Sequence, residues 1–282
     1  MRIAVTGSSG KLGTVVVREL TAAGHEVIGL DAVGTRGPGF VQVDLTDYGQ
    51  VIDALTSVDS RHDGIDALVH LAAIPAPGIR SDVATFHNNM SATFNLFWAA
   101  IRLGITRIVY ASSETLQGLP FDDAPPPYLP VDEDYPARPE TVYSLVKHLE
   151  ETMAIELVRW YPDVAITALR FSNVMVPDDY DEFPSFDADA RERAWNAWSY
   201  IDARDGAHAI ERALEVAPPG FDRFLIASPD TVMSRPNAEL VAEVFPDVEV
   251  RGDLGENDSL FSIEKARRLL GYAPQHTWRA AD

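Results

Sequence analysis

The sequence GSSGKLG, Gly7–Gly13, places three glycines at intervals of three residues directly after a short apolar run, Arg2–Thr6. Apolar residues at helical spacing then continue as far as Leu20. The order is therefore strand, turn and helix. Backbone N–H groups in such a turn, together with the helix N-terminus, can approach a pyrophosphate closely because glycine has no side chain. This stretch predicts a dinucleotide-binding fold.

Apolar runs and helical patterns go on alternating along the next 150 or so residues. Strands are predicted at 26–30, 40–43, 67–71, 107–110 and 165–169, and helices at 48–55, 83–103 and 142–160. The strands are apolar throughout rather than at every second residue, which indicates a parallel sheet covered by helices on both faces. We therefore predict a doubly wound α/β fold, a Rossmann sheet, over residues 1–175.

The remaining chain has a different character. Residues 118–139 contain seven prolines and are predicted to form a loop without regular structure over the carboxyl edge of the sheet. Beyond residue 175 an acidic, aromatic stretch precedes helical patterns at 204–217, 237–245 and 263–270. We expect residues 176–282 to form mainly a small C-terminal substrate-binding lobe, with some segments returning to the Rossmann core.

Composition excludes several classes of function. The chain has 23 basic and 43 acidic residues, a net charge of −20, which disfavours a nucleic-acid partner. It has no cysteine and no paired histidine spacing, so we predict no metal. No apolar run is long enough for a membrane span and no signal-peptide pattern occurs, which predicts a cytoplasmic protein. The three lysines among many arginines fit either codon bias or adaptation to salt.

An acidic residue, Asp31, lies 18 positions after Gly13 at the end of the second predicted strand. A carboxylate there can accept both ribose hydroxyls of a dinucleotide and repel a 2′-phosphate, which favours NAD over NADP. Arg36 is close enough in sequence to weaken that preference, and Asp31 could instead be a simple turn residue. Asp44 and Leu45 end the third strand and could hold the adenine, or Asp44 could cap the following helix.

Tyr143 and Lys147 are four residues apart on a predicted helix and therefore share one face. An ammonium beside a phenol favours the ionised phenol, which would make Tyr143 a base, although a surface pair has the same spacing. Ser112 and Ser113 follow the fifth strand at the edge where α/β sheets bind ligands. Either hydroxyl could bond a substrate oxygen or form a turn, and spacing does not choose between them.

These motifs occur in one order along the chain: Gly7–Gly13, Asp31, Asp44–Leu45, His70–Ala73, Asn89, Ser112–Ser113, Tyr143–Lys147 and Leu169–Val174. In that order the sequence resembles the extended short-chain dehydrogenase/reductase family, also called the NAD-dependent epimerase/dehydratase family. Residues 261–274 also resemble the usual C-terminal segment of the family. The resemblance covers about residues 1–175 and implies a Rossmann fold with NAD as cofactor.

The resemblance implies that Tyr143 is the general acid/base, that Lys147 lowers its pKa and binds ribose, and that Ser113 positions the substrate oxygen. Ser113 fits because it lies five residues before Gly118. Gln117 stands where the family usually has tyrosine, so the substrate contacts typical of the family are not expected at this position. The implied cofactor residues are Gly7, Ser9, Gly10, Lys11, Leu12, Gly13, Asp31, Asp44, Leu45, Leu71, Ala72, Ala73, Asn89, Tyr143 and Lys147.

The implied activity is hydride transfer between NAD and a sugar, a sugar acid or a similar small alcohol. A sugar or nucleotide-sugar epimerase that keeps its NAD bound is one alternative, and a non-catalytic dinucleotide sensor is another. In members of the resembling family that act on nucleotide sugars this stretch is long and forms the nucleotide pocket, whereas here Asn173 and Tyr200 are only 27 positions apart and the residues between them are acidic. This spacing favours a small substrate, with contacts expected from Ser112, Ser113, Asn173 and Arg193.

Two features of this short stretch have alternative interpretations. Arg191 or Arg193 could bind a substrate carboxylate, as the similarity in spacing to uronate dehydrogenases suggests, or could pair with a neighbouring aspartate. Glu114 and Thr115 stand where those enzymes are expected to have an Asn-His pair. The aromatic residues Trp195, Trp198 and Tyr200 could stack on a sugar or fill the core.

The predicted helices at 83–103 and 142–160 carry apolar residues on more than one face, more than contact with a sheet requires. These residues are Phe94, Phe97, Trp98, Ile101, Met153, Ile155, Leu157 and Trp160. In the resembling family the two helices pair across a two-fold axis. We therefore expect a homodimer.

Overall fold

A central sheet of parallel strands organises the computed structural model, which describes residues 1–35, 37–56, 64–121 and 124–280. The strands are β1 (Arg2–Thr6), β2 (Glu26–Asp31), β3 (Phe40–Gln42), β4 (Ala67–His70), β5 (Arg107–Ser113), β6 (Tyr128–Leu129), β7 (Ala165–Phe171), β8 (Val174–Met175), β9 (Ile201–Asp202), β10 (Gly220–Ile226) and β11 (Glu249–Val250). The main sheet has the order β10-β7-β5-β4-β1-β2-β3.

Helices cover both faces of this sheet. They are α1 (Lys11–Ala22), α2 (Tyr48–Thr56), α3 (Asp82–Arg102), α4 (Val142–Trp160), α5 (Phe183–Phe186), α6 (Ala203–Val216), α7 (Asn237–Val244) and α8 (Glu264–Leu270). Along β1, Ile3 and Val5 join the core beneath α1 and α6, whereas Ala4 joins the core beneath α2, α3 and α4. The predicted doubly wound α/β fold is confirmed. None of the helices in the described ranges is long and apolar enough to span a membrane.

The direction of strand order reverses at β1. This strand pairs with β2 on one side and with β4 on the other. The connections after β1 therefore run one way across the sheet and those after β4 run the other way. A crevice opens between the carboxyl ends of two strands at such a reversal, and ligands of open α/β sheets bind there.

Several strands, among them β6, β10 and β11, lie where sequence patterns did not predict them. β10 completes the sheet by pairing with β7 along its whole length, from Gly220↔Ala165 to Ile226↔Phe171. Its first four residues are only half-buried and its centre is polar, Asp222 and Arg223, so it lacks the apolar run of a buried strand. Residues 118–139 are also not entirely irregular, because β6 pairs with β11.

The chain after residue 175 contributes to the sheet and to an aromatic part of the core, which is continuous with the core beneath α1 and α6. α6 packs against α1 beneath the sheet. Trp198 and Tyr200 are fully buried, and the ring centroids of Phe183 and Tyr200 lie 5.2 Å apart. These two sequence candidates for sugar stacking therefore fill the core, whereas Trp195 is only half-buried.

The apolar residues of α3 and α4 divide between the core and the surface. Phe97 and Leu157 are buried against the sheet. Phe94, Ile155 and Trp160 remain between 42% and 56% exposed. The helical periodicity had left the orientation of each residue open, and packing on the sheet decides it.

A buried ion pair joins α4 to the sheet. Arg170 on β7 donates to Glu151 through Nε at 2.8 Å and Nη2 at 2.7 Å, and both side chains are almost completely buried. Arg170 Nη1 also donates to Gln117 Oε1 at 2.6 Å, and Ser112 Oγ donates to Glu151 Oε1 at 2.7 Å. Removing one partner would leave an uncompensated charge in the core, which is more costly than losing the pair as a whole.

We expect Arg170→Met to lower the free energy of unfolding by about 3–5 kcal/mol, because Glu151 would be left buried without its counter-charge. The double variant Arg170→Met/Glu151→Leu should recover most of that loss, since it removes both charges. Urea unfolding measures both effects. Arg159→Met, which breaks the exposed pair with Glu156, is the control and should cost less than about 1 kcal/mol. Equal losses for Arg170→Met and Arg159→Met would contradict this account.

Candidate active site

A cavity of about 980 Å³ opens at the carboxyl edge of the sheet, where β1 and β4 separate. Its wall combines the turn after β1, the ends of β2 and β3, the loops after β4, β5 and β7, and the first turns of α4. Almost all of the predicted cofactor residues line it: Gly7, Ser9, Gly10, Lys11, Leu12, Gly13, Asp31, Asp44, Leu45, Leu71, Ala72, Ala73, Tyr143 and Lys147.

At two glycines of the turn after β1 there is no room for a side chain. A Cβ at Gly13 would lie 1.9 Å from the carbonyl oxygen of Gly7, and a Cβ at Gly7 would lie 2.7 Å from the backbone nitrogen of Ala72. Gly7 also has a positive φ of 67°. α1 begins directly after Gly10 without a side-chain cap, so its first N–H groups are left for a ligand. The glycine turn and the N-terminus of α1 together fit the pyrophosphate of a dinucleotide.

Two carboxylates lie on the wall near this turn. Asp31 Oδ2 accepts a hydrogen bond from the Ser9 N–H at 3.0 Å, which holds it beside the glycine turn. Asp44 Oδ1 accepts from the N–H of Thr46 at 2.9 Å, while Asp47 caps α2 by accepting from the N–H of Gly49 at 2.8 Å. Asp31 is therefore placed where a ribose hydroxyl could reach it. Arg36, the cation proposed from sequence to oppose this preference, lies outside the described residues.

Ser113, Tyr143 and Lys147 come together at the other end of the cavity. A capping box begins α4: Thr141 Oγ1 accepts from the N–H of Ser144 at 3.1 Å, and Ser144 Oγ accepts from the N–H of Thr141 at 2.9 Å. This cap places Tyr143 in the first turn of the helix, and Lys147 follows one turn later. Lys147 Nζ lies 6.0 Å from the centroid of the Tyr143 ring.

Tyr143 is almost completely buried, and burial raises the pKa of its phenol above the ordinary value. Lys147 and a hydrogen bond with Ser113 lower the pKa, whereas the carboxylates of Glu150 and Glu114 raise it. Lys147 therefore lowers the pKa of Tyr143 in the expected direction, but it does not lower the pKa below the ordinary value. Burial and the two acids outweigh it, and the net pKa is raised.

Asn89 and Ser112, which were predicted to bind a ligand, have other contacts in the structure. Asn89 does not line the cavity: its Oδ1 accepts from the N–H of Ile74 at 2.8 Å, and its Nδ2 donates to the Ile74 carbonyl at 3.1 Å. It therefore holds the loop after β4, and its neighbour Asn88 lines the cavity instead. Ser112 lies on the wall, but its hydroxyl donates to Glu151.

Arg193, expected at the substrate, does not reach the cavity wall. It is buried, its Nη2 donates to the Ser199 carbonyl at 3.2 Å, and its guanidinium lies 5.4 Å from the Trp195 ring. Trp195 lines the cavity in its place. The spacing of charges along the chain could not show that a bulky ring would stand in front of the arginine. Asn173, the fourth predicted substrate residue, does line the wall.

Sequence reasoning also missed functional candidates that the structure places at the site. Glu114 lines the cavity directly after Ser113, and its position behind a strand end was the signal that could have found it. Glu150 is fully buried against Lys147, yet it reads in sequence as part of a charged, solvated helix face. Within the described ranges, no group of three or more acidic or histidine side chains is arranged to hold a metal ion.

Comparison with known proteins agrees with this geometry. The model of the family described as NAD dependent epimerase/dehydratase matches residues 3–224. A UDP-glucose 4-epimerase of Bacillus subtilis is 29% identical over 61% of this chain and 52% of its own length. The chain thus spans about half the length of several curated epimerases that it matches.

Two other similarities extend over nearly the whole chain. An L-arabinose 1-dehydrogenase (NAD(P)(+)) of Haloferax volcanii is 28% identical over 97% of this chain and 96% of its own length. The structure of a mutated uronate dehydrogenase has a TM-score of 0.68 at 20% identity and covers 99% of this chain and 82% of its own, a likeness in fold alone. Given the extent of the family match, the chain belongs to the NAD-dependent epimerase/dehydratase family, and its cofactor is NAD.

Proposed function

We propose that this chain is a dehydrogenase that oxidises a small, uncharged sugar or polyol and releases NADH. The observation that carries this proposal is the charge of the cavity wall. Among the described lining residues, the only cations are Lys11 and Lys147, and both belong to the proposed cofactor site. Lys11 already pairs with Asp179 at 2.8 Å. The substrate end therefore offers no cation to a diphosphate or a carboxylate.

The groups that line the substrate end are suited to a sugar. Ser113, Thr115 and Asn173 supply hydroxyl and amide groups, and Trp195 supplies an aromatic face. Hydroxyls and amides can both donate to and accept from sugar hydroxyls, and an aromatic face packs on the apolar side of a sugar ring. These groups support a neutral polyhydroxylated substrate.

The chemistry follows from the positions of three side chains. Tyr143, in its ionised form, removes the proton of the substrate hydroxyl, while Ser113 donates a hydrogen bond to the same oxygen. Lys147 stays protonated beside Tyr143 and would donate to the cofactor ribose. When bound, NAD supplies the hydride acceptor for the carbon that is oxidised. The raised pKa of Tyr143 means that oxidation should become faster as the pH rises through the alkaline range.

The relatives do not distinguish the two enzymatic functions. The L-arabinose 1-dehydrogenase aligns over 97% of this chain, and a UDP-glucose 4-epimerase of Corynebacterium glutamicum aligns over 98% of it. An epimerase is therefore the second candidate. A non-catalytic sensor is disfavoured because Ser113, Tyr143 and Lys147 are all present and close together.

We expect NADH to accumulate when the purified protein is mixed with NAD⁺ and a neutral aldose such as L-arabinose, and not with a uronic acid or a UDP-sugar. Tyr143→Phe should lower kcat by about 10²-fold or more, because the base is lost. Tyr48→Phe, on an exposed side chain, is the matched control and should keep full activity. Absorbance of NADH at low and multimolar salt is the measurement. Turnover of a UDP-sugar with no activity toward neutral sugars would refute the proposal.

Glu114 adds an acid to the substrate end of the cavity. Its side chain is 3% exposed, Ser172 Oγ donates to Oε2 at 2.6 Å, and Asn196 Nδ2 donates to Oε1 at 3.1 Å. Burial raises the pKa of Glu114 to about 7, although these donors and the nearby Arg193 act to lower it. Above neutral pH this carboxylate would repel an anionic substrate, which again supports an uncharged one.

The raised pKa predicts how stability depends on pH. Between the ordinary value of 4.5 and about 7, the folded protein binds more protons at Glu114 than the unfolded chain, so this group destabilises the fold as the pH rises. Glu114→Gln removes the titration. Relative to wild type, the variant should gain about 2 kcal/mol in unfolding free energy between about pH 5 and pH 8.

Urea unfolding at the two pH values measures this change. Glu264→Gln, whose side chain is 72% exposed, is the matched control and should show almost no pH-dependent difference from wild type. A difference between Glu114→Gln and wild type that stays constant over this range would show that Glu114 is ionised throughout.

We further infer that two copies associate through α3 and α4. Phe94 on α3 and Ile155 and Trp160 on α4 expose large apolar surfaces on helices that pack side by side. Exposed apolar surface of this kind is typical of an interface. α4 also carries Tyr143 and Lys147, so association through this helix would hold the active-site residues in place.

Light scattering should therefore give a mass of twice the 31.0 kDa of one chain. Ile155→Arg should shift the protein toward monomer, because it places a charge in the proposed interface. Leu269→Arg is the matched control: Leu269 is similarly exposed, 45% against 42% for Ile155, but lies on α8. A monomeric wild type at micromolar concentration, or an unchanged mass for Ile155→Arg, would refute the dimer.

A further inference from the structure

A continuous chain of buried hydrogen bonds leads from the sheet to Lys147. Thr6 Oγ1 and His70 Nδ1 are 2.7 Å apart, His70 Nε2 and Thr93 Oγ1 are 3.0 Å apart, and Thr93 Oγ1 donates to Glu150 Oε1 at 2.7 Å. The chain ends on Lys147 Nζ, which donates to Glu150 Oε2 at 2.8 Å. All five side chains are buried, and they come from β1, β4, α3 and α4.

The direction of every bond in this chain can be assigned. The single hydroxyl proton of Thr93 goes to Glu150, so Thr93 must accept from His70, whose proton therefore resides on Nε2. His70 Nδ1 then accepts from Thr6, which in turn accepts from the N–H groups of Leu71 and Ala72 at 3.2 and 3.3 Å. Burial lowers the pKa of His70 to about 3, which agrees with a neutral ring. All donors thus converge on the carboxyl group of Glu150.

Lys147 is held from two sides. Besides its bond to Glu150, its Nζ donates to the carbonyl of Ala111 at 2.8 Å. An ammonium has three N–H donors, so two are used by the protein and one is left for the cavity. Both partners of the ion pair are essentially unexposed, with 3% of the Lys147 side chain and none of Glu150 in contact with solvent. A buried ammonium paired in this way has little freedom to move.

We propose that Glu150 is a positioning residue of the active site: it holds the Lys147 ammonium beside Tyr143, and its negative charge sets the pH range in which Tyr143 acts as a base. The role as base rests on the proposed function. Two acids of α4, Glu150 and Glu151, lie near Lys147. Arg170 neutralises Glu151, so Glu150 is the acid paired directly with the ammonium.

The charged groups around Tyr143 support the role proposed for Glu150. Lys147 lowers the pKa of Tyr143, while Glu150 on the same helix and Glu114 after β5 raise it. Burial acts to lower the pKa of Lys147, but Glu150 and Tyr143 outweigh burial and the net pKa is raised. From β4, His70 is neutral and contributes no charge. Glutamine at this position removes the charge that raises the pKa of Tyr143 but keeps an oxygen that can accept from Lys147 Nζ, so Glu150→Gln should favour the tyrosinate.

The test is a pH titration of Tyr143 in the full chain labelled with ¹³C at the tyrosine ζ carbon, with Tyr143→Phe identifying the signal. Glu150→Gln should lower the titration midpoint by about one pH unit or more, a tenfold change in the ionisation constant. Glu156→Gln is the matched control, because Glu156 lies on the same helix but is 48% exposed. Its midpoint should equal that of wild type.

An unchanged midpoint in Glu150→Gln would overturn the inference. If that variant lacks native circular dichroism, Glu150→Asp carries the test, because it keeps the charge but withdraws the carboxylate from Nζ. Because the carboxylate then no longer holds the ammonium beside Tyr143 while its negative charge remains, the inference predicts a higher midpoint than that of wild type, and a midpoint equal to that of wild type would overturn it. The titration needs no substrate, so its result does not depend on the proposed function. Failure of the proposed function would be seen in a different experiment, as full turnover of substrate by Tyr143→Phe.

Discussion

The close approach of Gly13 to Gly7 is the constraint from which the site follows. A single Cβ at residue 13 would lie 1.9 Å from the Gly7 carbonyl oxygen, a distance that only backbone displacement could relieve. Without that atom, α1 begins at the very end of β1, and its N-terminal N–H groups face the crevice between β1 and β4. The cofactor position, and hence the direction in which the catalytic residues must point, depends on this contact.

A second constraint comes from the charges on the buried face of α4. Lys147 pairs with Glu150, and Glu151 pairs with Arg170, so four charges are buried with a net charge of zero. Each pair is stable in the core only because its partner and additional donors are present. This arrangement ties α4 to β7 and α3 and holds Tyr143 on the wall of the cavity. The same residues thus support both the fold and the chemistry.

Much of this architecture could be predicted from local sequence. Strands apolar throughout identified the parallel sheet, and α4 begins and ends where its helical pattern predicted, at Val142 and Trp160. The glycine turn and the Tyr143–Lys147 pair could be found because their parts lie within a few residues of one another. The edge strand β10 could not be found in this way, because Asp222 and Arg223 interrupt its apolar run.

Three polar residues whose contacts could not be predicted from sequence share one physical feature. Asn89, Arg193 and Glu150 are polar side chains whose roles depend on partners far away in sequence or on a ring that covers them. Asn89 holds the loop at Ile74, Arg193 lies behind Trp195, and Glu150 meets Thr93 on another helix. Spacing along the chain indicates which residues share a helix face, but it does not indicate which distant element packs against that face.

The central claim is that hydride leaves a neutral sugar and departs from the protein on free NADH. The most direct measurement uses a neutral aldose that the protein turns over, deuterated at the carbon that is oxidised, and follows the deuterium by nuclear magnetic resonance. We predict one deuterium at C4 of the nicotinamide in free NADH for each sugar oxidised. Deuterium retained in an epimer of the sugar, with no NADH in solution, would contradict the account.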